Sequence, residues 1–186
     1  RQFNEKGYAK TVAQREWSTL LPISGYEESL PDDYVLEKGY YDKWNTFPYS
    51  MKKLMDKAVN YKFLKTTPFG NNMVRDFATT LILAEKLGKD EYPDLLNLTF
   101  TSMDYENSSF GPASIEMEDT YLRLDQDIAL LLDFLDKTVG KGNTLVVLTS
   151  TCSATYPVEY LKEEFNMSVG TFSPESAIAL LKSFLN

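Results

Sequence analysis

Apolar side chains recur at steps of three and four residues in several stretches, the spacing of one face of a helix. The longest stretch predicts a helix over about 114–139, with acidic residues near its positive N-terminal end. Shorter stretches predict a helix that opens near Ser50, another capped by Asn71 or Asn72, and a last helix that begins at Pro174. Four side chains of the last helix are predicted to face inward: Ala177, Leu180, Leu181 and Phe184.

Two short apolar runs, Leu95 to Phe100 and Thr144 to Leu148, have the near-continuous character of strands covered on both faces. Their alternation with helices predicts an α/β fold, a partial parallel sheet flanked by helices. Each run leads into a polar stretch, 101–113 and 149–155, predicted as a loop. Because ligands of open parallel sheets bind at the carboxyl ends of the strands, a functional site is expected in these two loops.

The first third of the chain differs from the rest. Residues 1–21 predict a short amphipathic helix that ends by Pro22, and residues 22–47 predict an ordered loop rich in tyrosine. We therefore divide the chain into an aromatic-rich N-terminal arm over 1–68, an insert or cap-like region, and an α/β core over 69–186. The tyrosines of the arm either pack on the core or form a contact surface for carbohydrate or protein.

Composition excludes several classes of protein. The net charge is -8 and no basic cluster stands out, which argues against a nucleic-acid partner. No run of 18 apolar residues is present, so no membrane span is expected. The chain opens Arg-Gln-Phe without a methionine, which indicates a processed, truncated or excised piece.

Histidine is absent from all 186 residues. This chain alone therefore builds neither a Ser-His-Asp triad, nor a Cys-His dyad, nor a zinc site with histidine ligands. Its single cysteine, Cys152, has no histidine base and no nearby Lys or Arg, since none lies between Lys141 and Lys162, which favours a structural thiol over a nucleophile.

Several short motifs occur in a fixed order between Trp17 and Phe172. They are Glu16-Trp17, Phe47-Pro48, Thr67-Pro68-Phe69-Gly70-Asn71, Glu85-Lys86-Leu87-Gly88, Asp104-Tyr105, Phe110-Gly111-Pro112 and Glu118-Asp119-Thr120-Tyr121. In order and spacing they resemble the C-terminal half of bacterial enzymes of the alkaline phosphatase superfamily, those grouped with type I phosphodiesterases and nucleotide pyrophosphatases.

The resemblance implies a family that transfers phosphoryl groups with two zinc ions and a Thr or Ser nucleophile. The nucleophile belongs to the family's upstream half. Two of the family's metal motifs match this chain in altered form. Asp-x-x-x-His corresponds to Asp104 through Ser108, with serine in place of histidine, and Thr-Ala-Asp-His-Gly corresponds to 149–153, with Thr151 and Cys152 in place of Asp and His.

We therefore expect no catalytic residue here, four vestigial metal-site positions (Asp104, Ser108, Thr151 and Cys152), and no bound cofactor. Zinc takes three or four nitrogen, thiolate or carboxylate donors, and these positions supply two at best, Asp104 and Cys152. Asp104 is the single metal-ligand candidate, for Mg²⁺ or Ca²⁺ with Glu106 and Asn107, although a capping role in the turn is the plainer interpretation.

The expected function is that of a degenerate, non-catalytic pseudoenzyme domain with a binding or structural role. Two alternatives stay open. One is a metal-dependent phosphomonoester or phosphodiester hydrolase completed by a missing segment or partner, and the other is a phosphate- or sugar-binding module that uses the vestigial pocket.

The sequence names no partner. A homo-oligomer or a missing N-terminal half would each complete a thin sheet. The resemblance implies a periplasmic or exported location. The acidic groups Glu27-Glu28, Asp32-Asp33 and Glu116 to Asp119 are expected on solvated faces or at helix ends.

Overall fold

The structure is a computed structural model that describes residues 2–58, 60–150, 156, 158–170 and 173–185, without the side chains of Gln2 and residues 105–108. The chain forms two compact units, Arg1–Thr155 and Tyr156–Asn186. The predicted boundary near residue 68 falls inside the first unit and stays a prediction.

The first unit is mainly helical. Its elements are α1 (Gln2–Glu5), α2 (Tyr8–Val12), β1 (Glu16–Trp17), β2 (Tyr49–Ser50), α3 (Met51–Ala58), a 3₁₀ segment (Tyr61–Thr66), α4 (Pro68–Ala84), α5 (Ser102–Ser109), α6 (Ile115–Leu135) and a π turn (Asp136–Gly140). The two strands pair antiparallel, with Glu16 opposite Ser50 and Trp17 opposite Tyr49.

The long predicted helix is confirmed as α6. It begins after Ser114, whose hydroxyl accepts a hydrogen bond from the Met117 N–H at 3.1 Å. This cap satisfies one of the amide groups that a helix leaves free at its start. The helix proper ends at Leu135, earlier than expected, and a π turn carries the chain to Gly140, whose φ is +115°.

Two predictions about helix starts are wrong. Helix α4 begins at Pro68, ahead of Asn71, because proline suits the first turn of a helix and its fixed φ sets the start. The Asn71 side chain accepts a hydrogen bond from the Ser102 N–H instead of capping α4. The single helix expected before Pro22 is replaced by α1, α2 and strand β1.

Aromatic side chains from the first third of the chain form much of the core. Trp17 is fully buried against Phe47, with ring centroids 5.1 Å apart, and Tyr40 packs on Phe110 at the same separation. Tyr49 lies between these two pairs. The structure does not confirm a separate aromatic arm, because these rings share one core with residues of α3, the 3₁₀ segment and α4.

The two predicted strands are not paired with any other strand within the described residues. Along 95–100 the side chains alternate between exposed and half-buried, as in a strand with one covered face. Over 141–150 every residue is exposed, and Leu145 keeps 90% of its surface. The parallel sheet therefore does not form in the described chain, because neither run has a neighbouring strand to bond with.

The second unit contains two helices, α7 (Val158–Glu163) and α8 (Pro174–Leu185). The start of α8 at Pro174 is confirmed, and the Ser173 hydroxyl accepts a hydrogen bond from the Ser176 N–H at 3.2 Å. The prediction that α8 turns its apolar face inward is wrong in this structure, since Leu180 and Phe184 are 74% and 90% exposed.

Candidate functional site

The expected site begins at the first turn of helix α5, directly after the apolar run 95–100. Ser102 anchors this turn. Its hydroxyl donates to the Thr67 carbonyl at 2.8 Å, and its N–H donates to the Asn71 side chain at 3.4 Å. Both partners are buried at the start of α4. The side chain of Asp104, two residues later, points to solvent.

The stretch predicted as a loop after Phe100 is therefore largely helical. Ser and Asn residues favour turns, so local propensity alone would not place a helix here. Tertiary contacts do so, because Ser102 fixes the start of α5 while Phe110, 3% exposed, anchors the chain after its end. Gly111 then turns the chain with a φ of +93°.

Asp104 is the only one of the four vestigial positions whose side chain is described. The backbone of Ser108 lies in the last turn of α5, but its side chain lies outside the described residues, as do those of Glu106 and Asn107 and all of Thr151 and Cys152.

The donor set does not fit two zinc ions. Each zinc requires about four nitrogen, thiolate or carboxylate donors, whereas the four positions offer one carboxylate, one thiol and two hydroxyls. Over the described part of the chain, no three Asp, Glu, His or Cys side chains are grouped so as to hold a metal ion. No catalytic step through zinc follows from these residues.

A cavity of about 260 Å³ lies beside the anchored start of α5. Its walls are mainly apolar, and they include Tyr61, Leu64, Gly70, Met73, Val74 and Thr101. Asn71 also lines it, but the oxygen of its side chain already accepts from Ser102. Among the described residues that line the cavity, Lys65 is the only cationic one. Such walls suit an apolar group better than a phosphate, which needs several donors.

A cluster of polar contacts surrounds Asp119, on the second turn of α6. Its carboxylate is fully buried and accepts four hydrogen bonds at 2.6–2.7 Å. The donors are the Trp17 indole, the Leu20 N–H, the Tyr26 hydroxyl and the Arg123 guanidinium. Burial, together with the contact to Asp119, raises the pKa of Tyr26 to about 12.

A second buried carboxyl, Glu116, lies one turn earlier on α6. It is 0% exposed, and its Oε1 accepts a short hydrogen bond from the Tyr49 hydroxyl. Its Oε2 has no partner within the described residues. Glu37, 9% exposed, has no partner for either carboxylate oxygen. Burial is the main cause that raises the pKa of Glu116 to about 8 and that of Glu37 to about 9.

Residues 116–119 lie at a helix end, as one of the two predicted alternatives had it, but Glu116 and Asp119 are buried there, so the solvated-face alternative is wrong for these two. The signal in the sequence that indicates this burial is the spacing of the polar residues along α6. Polar residues 116, 119, 120 and 127 follow the three- and four-residue steps that define one helix face, and all four are buried. Aromatic hydroxyl and indole groups upstream then supply the hydrogen bonds that make this burial tolerable.

The sequence pattern of the family described as type I phosphodiesterase / nucleotide pyrophosphatase matches residues 8–166. This chain belongs to that family. The alkaline phosphatase PhoV of Synechococcus elongatus is 39% identical over 163 residues, which is 87% of this chain and 29% of PhoV. The alkaline phosphatase PafA of Elizabethkingia meningoseptica is 39% identical over 175 residues, 91% of this chain and 31% of PafA.

The fold agrees with this membership of the type I phosphodiesterase family. A crystal structure of wild-type alkaline phosphatase PafA superposes with a TM-score of 0.87 at 38% identity, covering 98% of this chain and 35% of PafA. The resemblance to the alkaline phosphatase superfamily is therefore confirmed, and the chain has an alkaline-phosphatase-like fold. It spans about a third of the length of the relatives it matches.

Proposed function

We propose that this chain is a non-catalytic, alkaline-phosphatase-like domain, a pseudoenzyme region with a structural or binding role. One feature of the sequence carries the proposal: of the four positions that the resemblance aligns with metal ligands, only Asp104 has the residue type that the family motif implies. Ser108, Thr151 and Cys152 replace two histidines and an aspartate.

The chemical consequence concerns charge. Two metal ions activate the nucleophile and neutralise the charge that develops on a phosphoryl group. Neutral hydroxyls bind zinc poorly, and a thiol must lose its proton before it ligates. Without the ions, little positive charge remains to replace that of two zinc ions. Among the described residues that line the cavity beside α5, Lys65 is the only cation.

The test combines metal analysis with turnover. The purified chain is incubated with zinc, desalted and analysed for metal content, and its hydrolysis of an aryl phosphate monoester and an aryl phosphodiester is measured. We expect less than one zinc per chain and no hydrolysis above the buffer rate. Two zinc ions per chain with measurable hydrolysis would overturn the proposal.

A variant with the donors restored is the matched control. Ser108→His, Thr151→Asp and Cys152→His together return four zinc-type donors at positions 104, 108, 151 and 152. We expect this triple variant to bind zinc at least tenfold more tightly than the natural chain. Adding Asp104→Asn to the triple variant should lower the affinity again, which shows that the gain comes from these positions.

One observation favours a second candidate, a metal-dependent phosphomonoester or phosphodiester hydrolase completed by a further segment or partner. The apolar run 95–100 is exposed along one face, and the run 144–148 is exposed entirely. Both runs nevertheless have the composition of strands that are covered on both faces. Since the chain spans about a third of its relatives, we infer that these runs become strands of a parallel sheet when further chain is present.

Any coding sequence found ahead of Arg1 provides the test of this second candidate. The longer protein that it encodes is assayed beside the present chain with the same two aryl phosphates. Hydrolysis by the longer protein that is lost in its Asp104→Asn variant supports the second candidate and overturns the first. If both forms stay inactive while the longer protein has lower surface hydrophobicity by dye binding, the non-catalytic role stands and the sheet inference is supported.

The phosphate- or sugar-binding alternative stays a prediction, because the cavity beside α5 is mainly apolar. A thermal-shift comparison with inorganic phosphate, a nucleotide and a glycan tests it. A periplasmic or exported location is also proposed from family membership alone, and fractionation of cells with an antibody to the chain tests it. No helix in the described residues combines the length and apolarity needed to cross a bilayer.

A further inference from the structure

Three carboxylate oxygens are buried without a hydrogen-bond donor among the described residues. They are both oxygens of Glu37, which lies between Gly25 and β2, and Oε2 of Glu116 on helix α6. Neither carboxyl has a salt-bridge partner in the described chain. An ionised carboxylate that is neither paired nor solvated is among the most costly groups to bury.

The surroundings of these two groups add negative charge. The negative charges of Glu116, Asp32 and Asp33 raise the pKa of Glu37. Those of Asp32 and Asp119 raise the pKa of Glu116. The Tyr49 hydroxyl from β2 already donates to Glu116, and Tyr40 lies against the Tyr49 ring. Two carboxyls in such a site do not both ionise easily, because each negative charge disfavours the other.

We propose that Glu37 and Glu116 stay protonated in the folded chain near neutral pH, and that their ionisation at alkaline pH releases the segment 31–48 from helix α6. A proton makes each group neutral and adds a donor where the unpartnered atoms are otherwise acceptors. The pair thus acts as a pH-dependent latch.

Core packing also holds the segment 31–48, through Tyr40 on Phe110 and Phe47 on Trp17. Its hydrogen bonds to the rest of the first unit include the Gly39 N–H on the Ser109 carbonyl at 3.0 Å and the Tyr40 hydroxyl on the Thr66 carbonyl. The segment contains no regular helix or strand, so its opening need not unfold the rest of the unit.

The sign of the pH effect follows from the two states. In the unfolded chain both carboxyls ionise near 4.5, whereas in the folded chain the pKa of Glu116 is about 8 and that of Glu37 about 9. Between these limits the folded chain holds more protons. The stability that these two groups contribute is therefore fully present below about pH 4.5 and is lost as the pH rises through 8 to 9.

The first experiment measures thermal unfolding from pH 5 to pH 9.5 for the natural chain, Glu37→Gln and Glu28→Gln. Glu28 is exposed, so its variant changes the net charge equally without touching the latch. We expect Tm to fall by roughly 5 °C or more between pH 6 and pH 9 in the natural chain and in Glu28→Gln. In Glu37→Gln the fall should be at least halved.

Two direct measurements separate the latch from a general effect of charge. Hydrogen exchange, corrected for the intrinsic rate at each pH, should show residues 31–48 losing protection by at least tenfold at pH 9 in the natural chain and not in Glu37→Gln. Infrared spectra of the natural chain with ¹³C-labelled glutamate should show the carbonyl band of a protonated carboxyl at pH 7 that disappears by pH 9.5.

Identical pH profiles for the natural chain and Glu37→Gln would overturn the proposal, as would the absence of a protonated-carboxyl band at pH 7. A third contrary result is a cation effect. If millimolar calcium or sodium raises Tm at pH 9 in the natural chain but not in Glu37→Gln, the carboxyls are ionised and hold a metal ion. None of these outcomes depends on whether the chain hydrolyses phosphate esters.

Discussion

The two halves of helix α6 lie in opposite environments. In the first half, Ile115, Glu116, Met117, Asp119 and Thr120 are all 3% exposed or less. In the second half, Leu130 and Leu132 keep 56% and 38% of their surface exposed. Carboxylates are buried at one end of this helix, while leucines face outward at the other.

This contrast shows that partners, more than side-chain type, decide burial here. The acidic residues of the first half meet the aromatic donors of β1, β2 and the Tyr26 turn, which satisfy most of their oxygens. Leu130 and Leu132 of the second half are exposed, whereas Leu131 between them is buried. The first half is locally complete, and the second half presents apolar surface.

The largest expected effect comes from removing the best satisfied carboxylate. Asp119→Ala leaves the Trp17 indole, the Tyr26 hydroxyl and the Leu20 N–H without an acceptor, and it leaves Arg123 without its counter-ion. We expect the free energy of unfolding to fall by about 3–5 kcal/mol, measured by urea denaturation.

Asp125→Ala is the matched control for this prediction. Asp125 is exposed on the same helix, so its removal should change stability by less than about 0.5 kcal/mol. Equal effects of the two substitutions would show that the burial of Asp119 is not needed for folding.

An intermediate effect is expected from removing the buried one of two ion pairs that helix α6 makes, compared with the exposed one. Arg75 joins helix α4 to the buried Asp127 of α6, where Asn72 donates to the same carboxylate at 2.7 Å. Arg75→Ala should lower stability by about 1–3 kcal/mol, because Asp127 is left buried with less compensation. The exposed Lys137–Asp133 pair, 73% and 64% exposed, provides the contrast.

Lys137→Ala should change stability by less than about 0.5 kcal/mol, since exposed pairs contribute little. Both variants are compared by urea denaturation at low and at high salt. Equal losses of stability for Arg75→Ala and Lys137→Ala would show that the burial of Asp127 does not set the strength of its ion pair.

The smallest expected effect concerns the exposed leucines. Leu145→Ser should leave the free energy of unfolding within about 0.5 kcal/mol of the natural value, because Leu145 is 90% exposed. The same substitution should reduce self-association, measured by sedimentation velocity over a range of concentrations. A loss of 2 kcal/mol or more would show that Leu145 is covered in solution.

Local signals in the sequence predicted individual elements well. The apolar spacing of α6 and its Ser114 cap, and the Ser173-Pro174 start of α8, depend on interactions within a few residues. The order of short motifs also indicated the family correctly. In contrast, the helix at Ser102–Ser109 and the burial of Glu116 depend on residues distant in the chain.

The altered motifs at positions 104, 108, 151 and 152 are a property of the sequence itself, because donor chemistry is carried by side-chain identity. So are the family, the acidic net charge and the helical periods. Only the tertiary structure decided that three acidic residues of α6 are buried and that the apolar runs remain unpaired in the described chain. The physical reason is that burial depends on which donors and which strands lie nearby in space, and a helical or alternating pattern does not specify them.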